Sequence, residues 1–179
     1  MKKNEYKVLG VMSGTSLDGI DLALVQFKRY GSWSFNIEAA ATIPYSGDWK
    51  ADLAHGIGLN PEELQELDER YTVYLAKVIS KFIKENDITG LDAICSHGHT
   101  LQIGNLPELA ELTGETVVCD FRVQDVALGG QGAPLVPIGD ELLFPEYKYC
   151  LNLGGFANIS TSVNGQRQAY DICAVNTVL

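Results

Sequence analysis

Seven consecutive residues, Ser13-Gly14-Thr15-Ser16-Leu17-Asp18-Gly19, combine three hydroxyls, two glycines and a carboxylate. Glycine lets the backbone take positive φ and approach a ligand closely, while the hydroxyls supply further donors. Successive amides in such a turn form a concavity suited to a phosphate. Asp18 adds a hard oxygen that could hold Mg²⁺ directly or through water. The same Asp18-Gly19 pair also suits a plain hairpin turn, and composition alone leaves both readings open. Further on, Gly129-Gly130-Gln131-Gly132-Ala133-Pro134 places three glycines in four positions. Ordering them is costly without a geometric reason, which favours a close-approach loop bordering a cleft over a flexible connection before a helix. His97 and His99 form an HxH pair, but no Cys or acidic partner stands at ligand spacing nearby, which argues against a metal site. Asp171, taken by itself, is an aspartate ending a strand.

The elements that must position these residues follow from apolar spacing. Tyr6 to Val11 and Leu22 to Phe27 predict two short strands joined by the Gly-rich segment as a tight hairpin, and Ser34 to Ile43 predicts a third after Tyr30-Gly31-Ser32. Asn60 is a good N-cap, Pro61 suits the first helical position, and Glu63 completes a capping-box spacing. Leu64, Leu67, Tyr71, Leu75, Val78 and Phe82 then recur at helical spacing through about residue 84. Asp92 to Cys95 predicts a buried strand leading into Ser96-His97-Gly98-His99-Thr100. A short helix over Leu106 to Thr113, a strand over Thr116 to Cys119 and a helix over Leu135 to Phe144 complete the order β-β-β-α-β-α-β-α. That order fits an α/β domain of ribonuclease-H-like type, a mixed sheet flanked by helices, over residues 1–145.

Near residue 145 the pattern restarts, with strands predicted over Tyr147 to Leu153, Ala157 to Val163 and Gln168 to Asp171 around the Gly154-Gly155 turn. Residues 146–179 therefore read as the opening strands of a second ribonuclease-H-like domain. Three strands without covering helices leave one face bare, so the expectation is a longer natural chain.

Of the 179 residues 46% are hydrophobic and 20% charged, a globular composition with ample material for a core. No segment approaches the ~18 unbroken apolar residues of a membrane span. The start, Met1-Lys2-Lys3-Asn4-Glu5, shows no signal-peptide core, and the expected location is the cytoplasm. A formal charge of −10 without a basic face argues against nucleic acid as a partner, though not against nucleotides. Cys95, Cys119, Cys150 and Cys173 are widely separated, and three sit in apolar strand-like runs, so buried reduced thiols are expected.

Six segments together carry a resemblance. Val8-Leu9-Gly10-Val11-Met12-Ser13-Gly14-Thr15-Ser16-Leu17-Asp18-Gly19 resembles the opening of the anhydro-N-acetylmuramic acid kinases almost residue for residue. The similarity recurs, in the family's order, at Ser96-His97-Gly98, Gln102-Ile103-Gly104-Asn105, Asp120-Phe121-Arg122, Gly129 to Pro137 and Leu151 to Asn158. It implies membership of the actin, Hsp70 and sugar-kinase superfamily, in which two such domains face each other across a nucleotide cleft. It further implies a reaction in peptidoglycan recycling, in which water opens the internal 1,6-anhydro ring and ATP phosphorylates the freed O6. By resemblance, ATP contacts fall on Ser13, Gly14, Thr15, Ser16, Leu17, Asp18, Gly19, Ile20, Gly154 and Gly155, with Mg²⁺ at Asp18. Sugar contacts fall on His97, Gln102, Arg122, Gln124, Gln131, Asn158 and Asn176, and the catalytic base is Asp171. The implied partners are the amino sugar and ATP, with no nucleic acid or membrane, and a homodimer is the candidate assembly.

The sequence departs from the family in four places. Cys173-Ala174-Val175 stands where relatives carry Gly-Pro-Gly after the aspartate, Gln124 where many carry arginine, and His99 where Gln is common. Thr100 runs straight into Leu101-Gln102 without the roughly ten residues many relatives place there. Arginine to glutamine keeps hydrogen bonding and loses the positive charge. A non-phosphorylating muramic-sugar binder, or a kinase of a different small sugar, therefore stands beside the leading reading. The 179-residue chain alone is expected to be inactive as a kinase.

Overall fold

The computed structural model describes residues 3–14 and 16–175. The first two strands are built on a period of two. In β1 (Glu5–Ser13) and β2 (Gly19–Tyr30) the antiparallel register sets Leu9 against Leu24, Val11 against Leu22 and Ser13 against Ile20. All of these side chains are buried on one face. β3 (Ser32–Pro44) lies beside β2, reached through Gly31, whose φ of +89° requires a residue without a Cβ.

The helix α1 (Gly47–His55) follows, with the Ser46 side chain accepting from the Trp49 N–H, and a 3₁₀ turn spans Gly56–Gly58. The long helix α2 (Pro61–Glu85) then begins as its sequence predicts. Asn60 accepts from the Glu63 N–H and the Glu63 carboxylate accepts from the Asn60 N–H, each at 3.0 Å. Its buried stripe of Leu67, Tyr71, Leu75, Val78, Ile79 and Phe82 shares one hydrophobic core with β1, β2 and Ile94. Burying each large apolar side chain stabilises by roughly 1.5–3 kcal/mol, so α2 is held by its stripe more than by helix propensity.

β4 (Ala93–Ser96) pairs in parallel with β1, α3 (Glu108–Thr113) crosses over, and β5 (Val117–Val118) pairs in parallel with β4. The strand order β3-β2-β1-β4-β5 is a mixed five-stranded sheet flanked by helices, the ribonuclease-H-like α/β arrangement expected from the sequence. Two helices are additional to that expectation. One is α1, of which only Leu53 is buried. The other is α4 (Phe121–Ala127), which buries none of its residues, so neither carries an apolar stripe to announce it. β1, β2 and β3 run beyond their predicted ends, because a hairpin extends by pairing as well as by apolar content, whereas β5 is shorter than the Thr116 to Cys119 run predicts.

The chain divides into two compact units, Met1–Lys28 with Phe35–Asp120, and Arg29–Ser34 with Phe121–Leu179. In the second, α4 and α5 (Pro137–Leu143) precede the antiparallel sheet of β6 (Tyr149–Leu153), β7 (Phe156–Val163) and β8 (Gln166–Ala174). α5 is tied to this sheet by Asp140, whose carboxylate accepts from the Ser160 hydroxyl at 2.5 Å, while Arg167 Nη2 donates to the same hydroxyl oxygen at 2.8 Å. The cysteines are less buried than their apolar runs predict: Cys95, Cys119 and Cys150 are half-buried and Cys173 is exposed, and all four are free thiols.

Candidate active site

The turn between β1 and β2 is organised by its own carboxylate. Asp18 Oδ1 accepts from the Ser16 hydroxyl at 2.5 Å and from the Gly19 N–H at 3.0 Å. The first of these bonds does most to hold the Asp18 carboxyl below its usual range. The Asp18 carbonyl accepts from the Tyr45 N–H at 3.3 Å. Leu17 takes a positive φ of 52° and Gly19 packs against the backbone of Ile43. Ser16 and Asp18 are exposed and Gly14 is half-buried, so among its described residues the turn offers solvent the Ser16 hydroxyl and the Asp18 carboxylate. Ser13 and Ile20 differ from this. They sit on the core face of the hairpin, and the Ser13 hydroxyl is occupied inside the protein, donating to the Gly98 carbonyl at 2.9 Å. The period that buries Leu9 and Val11 buries Ser13 too. Thr15 lies outside the described residues.

Across the parallel β1–β4 pair, the His97 N–H donates to the Val11 carbonyl and β4 ends in a compact loop. Gly98, at φ +67°, has the Asn105 side chain and the Ile103 carbonyl within 2.8 Å of where a Cβ would stand. The chain passes from Thr100 to Leu101 in a tight turn, closed by the Gln102 N–H on the His99 carbonyl at 2.9 Å, with Gln102 itself exposed at φ +63°. His97 is half-buried. His99 is only 3% exposed, and burial pulls its imidazole down to about 4, so it is neutral at physiological pH. Among the described residues no group of three or more His, Cys, Asp and Glu side chains gathers.

Sequence reasoning missed the groups that brace this loop. Asp68 of α2 accepts from the Gly104 N–H at 2.7 Å and from the Thr72 hydroxyl at 3.2 Å, and burial pushes its carboxyl up from the usual range. Asn105 Nδ2 donates to Asp120 Oδ1 at 2.8 Å, and Asp120 is itself at a positive φ of 57°. Tyr71 was legible only as a member of an apolar stripe. The available signal was chemical: a phenol on a buried face needs a partner for its hydroxyl.

In the second unit the glycine loop is clamped by α4. Arg122 Nη1 donates to the Gly132 carbonyl at 2.7 Å, and Asp125 Oδ2 accepts from the Gly132 N–H at 2.7 Å. Arg122 thus has a structural task, while Gln124 and Gln131 are exposed. At one end of the β6-β7-β8 sheet, the Gly154-Gly155 turn, Asn158 and Asp171 come together. Asn158 faces Asp171 across the β7–β8 pair at a register irregularity between Ala157 and Asn158, and the Gly155 carbonyl accepts from the Val175 N–H at 2.8 Å. Asp171 is exposed. Cys173 and Ala174, where the family carries glycine and proline, continue β8 and pair with Ala157 and Phe156. Asn176 lies outside the described residues.

The family model described as anhydro-N-acetylmuramic acid kinase matches residues 6–179. A protein of that name from Actinobacillus pleuropneumoniae serotype 5b is 38% identical over 200 residues, covering 100% of this chain and 53% of its own length. Another, from Sulfurimonas denitrificans, is 37% identical over 190 residues, covering 96% and 50%. A third, from Pseudomonas fluorescens, is 40% identical over 170 residues, covering 85% and 46%. The chain spans about half the length of these curated relatives. Among solved structures, the Thermus thermophilus RuvC structure superposes with a TM-score of 0.34 at 15% identity over 77% of this chain and 80% of that one, a likeness too slight to bear on function.

Proposed function

Because the chain belongs to the anhydro-N-acetylmuramic acid kinase family, we propose that its natural protein is an ATP-dependent kinase that opens 1,6-anhydro-N-acetylmuramic acid with water and phosphorylates it at O6. The observation that carries the reading is Asp171, an exposed carboxylate opposite Asn158 and beside the Gly154-Gly155 turn. Such a carboxylate, in no ion pair among the described residues, can accept a proton from water. The water oxygen bonds to C1 as the C1–O6 bond breaks, and O6 takes the γ-phosphoryl group of ATP with ADP leaving. Asn158, one strand away, is within reach to orient the sugar or the water, since directly opposed side chains sit ~4.5–5.5 Å apart at Cβ.

On the first unit, the Ser16 hydroxyl and Asp18 carboxylate supply the polar surface for the nucleotide phosphates. Mg²⁺ is commonly held by one or two carboxylates together with substrate phosphates, and exposed Asp18 suits that role. Bound there, Mg²⁺ would neutralise charge on the phosphates. Residues 146–179 belong, in this reading, to the start of a second ribonuclease-H-like domain. The reaction is assigned to the cytoplasm and to the reuse of cell-wall sugars. No helix among the described residues is long and apolar enough to cross a membrane.

The test is ADP release by the full natural chain with and without the anhydro sugar, with sugar binding followed by calorimetry. Sugar-dependent ADP release supports the kinase. Binding without ADP release favours a non-phosphorylating muramic-sugar binder, a reading supported by the continuation of β8 through Cys173 and Ala174. Turnover with another sugar in a substrate panel would point instead to the exchange at Gln124.

A further inference from the structure

Three hydroxyls in the first unit make a chain that ends on one acceptor. Its end is the Gly98 carbonyl, which can only accept, so Ser13 Oγ donates to it across 2.9 Å. Ser13 has then used its one proton, and in the 2.9 Å contact with Tyr71 the phenol is the donor. Tyr71 has in turn used its own proton, so Tyr45 donates in the 2.6 Å contact between the two phenols. The chain runs Tyr45 to Tyr71 to Ser13 to Gly98, and Tyr45 also interacts with the Ser13 hydroxyl directly. Its members are 5%, 0% and 2% exposed for Tyr45, Tyr71 and Ser13. Burial pushes both phenols up from their ordinary range, so the protons stay in place at neutral pH. Bonds aligned head to tail in a low-dielectric interior reinforce one another.

The chain also joins segments far apart in sequence. Ser13 closes β1 and opens the Ser13–Gly19 turn. Gly98 belongs to the Ser96–Asn105 loop, and the rest of that loop wraps the Tyr71 ring. A Cβ on Gly104 would stand 2.8 Å from the ring, and the His99 imidazole meets it edge-on at 5.9 Å between centroids. Tyr71 itself is carried on α2 and Tyr45 on the segment after β3. One buried phenol therefore touches both segments.

We infer that Tyr71 is a positioning residue whose hydroxyl, acting through Ser13 and Gly98, holds the Ser13–Gly19 turn and the Ser96–Asn105 loop in one fixed mutual geometry. That these segments serve ATP and the sugar rests on the kinase reading; the mechanical coupling does not. A residue that only fills the core would act through its ring, which phenylalanine keeps.

The experiment is hydrogen exchange followed by mass spectrometry on the full natural chain and its Tyr71→Phe variant. Peptides from the turn and from the loop should both exchange about 5- to 150-fold faster, the factor matching ~1–3 kcal/mol for a buried group that loses its partner, at ~1.4 kcal/mol per tenfold. Peptides from the middle of α2 should keep their protection. Ser13→Ala should loosen the same two segments, and the double variant should add little to either single one, because both break one chain. In turnover assays the KM values for ATP and sugar should rise together. Unchanged exchange, loosening of one segment alone, or loosening spread through α2 overturns the inference. Where Tyr71→Phe does not fold, Tyr45→Phe removes the outermost donor and leaves Tyr71 packed. It should show the same paired loosening at smaller amplitude, and its absence is equally fatal. Paired loosening in a protein without sugar-dependent ATP turnover would retain the coupling and discard the kinase reading.

Discussion

Gly19→Ala adds one methyl group where the fold has no space for it. The new Cβ would stand 2.4 Å from the Ile43 carbonyl oxygen, 2.8 Å from its carbon and 3.0 Å from Pro44 Cα. All three are backbone atoms, so no side chain can rotate away. Ordinary contacts between such atoms are about 3.5 Å, so the end of β3 must retreat by about 1 Å. Overpacking of this kind costs roughly 1–3 kcal/mol. The displaced segment also carries Tyr45, whose N–H bonds the Asp18 carbonyl, and weakening that bond adds about 0.5–1.5 kcal/mol. In a cooperative unit of roughly 150–250 residues each kcal/mol lowers the melting temperature by about 2–4 °C, so the variant should melt about 3–18 °C lower. The assay is thermal unfolding of the full natural chain by circular dichroism. Gly139→Ala in α5 is the control, because nothing lies within 4 Å of its added Cβ. That change should hold or raise the melting temperature, alanine being favoured over glycine in a helix by about 0.5–1 kcal/mol. If the two variants melt together, the close packing of Gly19 on β3 is wrong.

Asp171→Asn should lower sugar-dependent ADP release by ~10²–10⁴-fold, the usual contribution of a general base, while sugar binding by calorimetry changes much less. Near-parental turnover would make Asp171 structural, and joint loss of binding and turnover would make it a sugar ligand. Asp18→Ala should raise the concentration of Mg-ATP needed for half-maximal rate, and unchanged kinetics at limiting Mg²⁺ would leave Asp18 as a turn residue only. His99 is depressed from 6.5 to about 4 in the folded state, so the unfolded chain binds its proton first as pH falls. The stability it contributes is complete above pH 6.5 and is lost progressively towards pH 4. His99→Gln should flatten the denaturant-measured stability across that window, and an unchanged slope would mean another group titrates there.

What the sequence disclosed was whatever had a local physical signature. Asn60, Pro61 and Glu63 mark the start of α2 because capping chemistry is local, and the stripe from Leu67 to Phe82 marks its buried face because burial repeats with the helix. The helix α1 lacked that repeat. The exposed Ser16–Asp18 turn was legible as a polar, glycine-bordered segment. The inward turn of Ser13 was not, because its motif suggested a ligand-facing hydroxyl while its strand period, shared with Leu9 and Val11, decided its direction. Arg122 shows the same limit. The resemblance assigned it to the sugar, and one of its guanidinium nitrogens is also engaged by Gly132, a bond that only the folded loop creates. The bracing bonds of Asp68 and Asn105 were not legible because their partners lie 36 and 15 residues away.

The place of β1 in its sheet sets an order of events during synthesis. Its antiparallel partner β2 follows at once, so one edge of β1 can pair as soon as both strands leave the ribosome. Its parallel partner β4 begins at Ala93, ~80 residues after β1 ends, an interval of about 4–16 s at ~5–20 residues per second. Until α2 has been made the nascent hairpin presents Leu9, Val11, Ile20, Leu22 and Leu24 uncovered, and until β4 follows one edge of β1 is without a partner. The emerging chain is then a natural client for a holding chaperone, and a pause in translation between Pro44 and Pro61 would prolong its risk of aggregation more than a pause after Ser96.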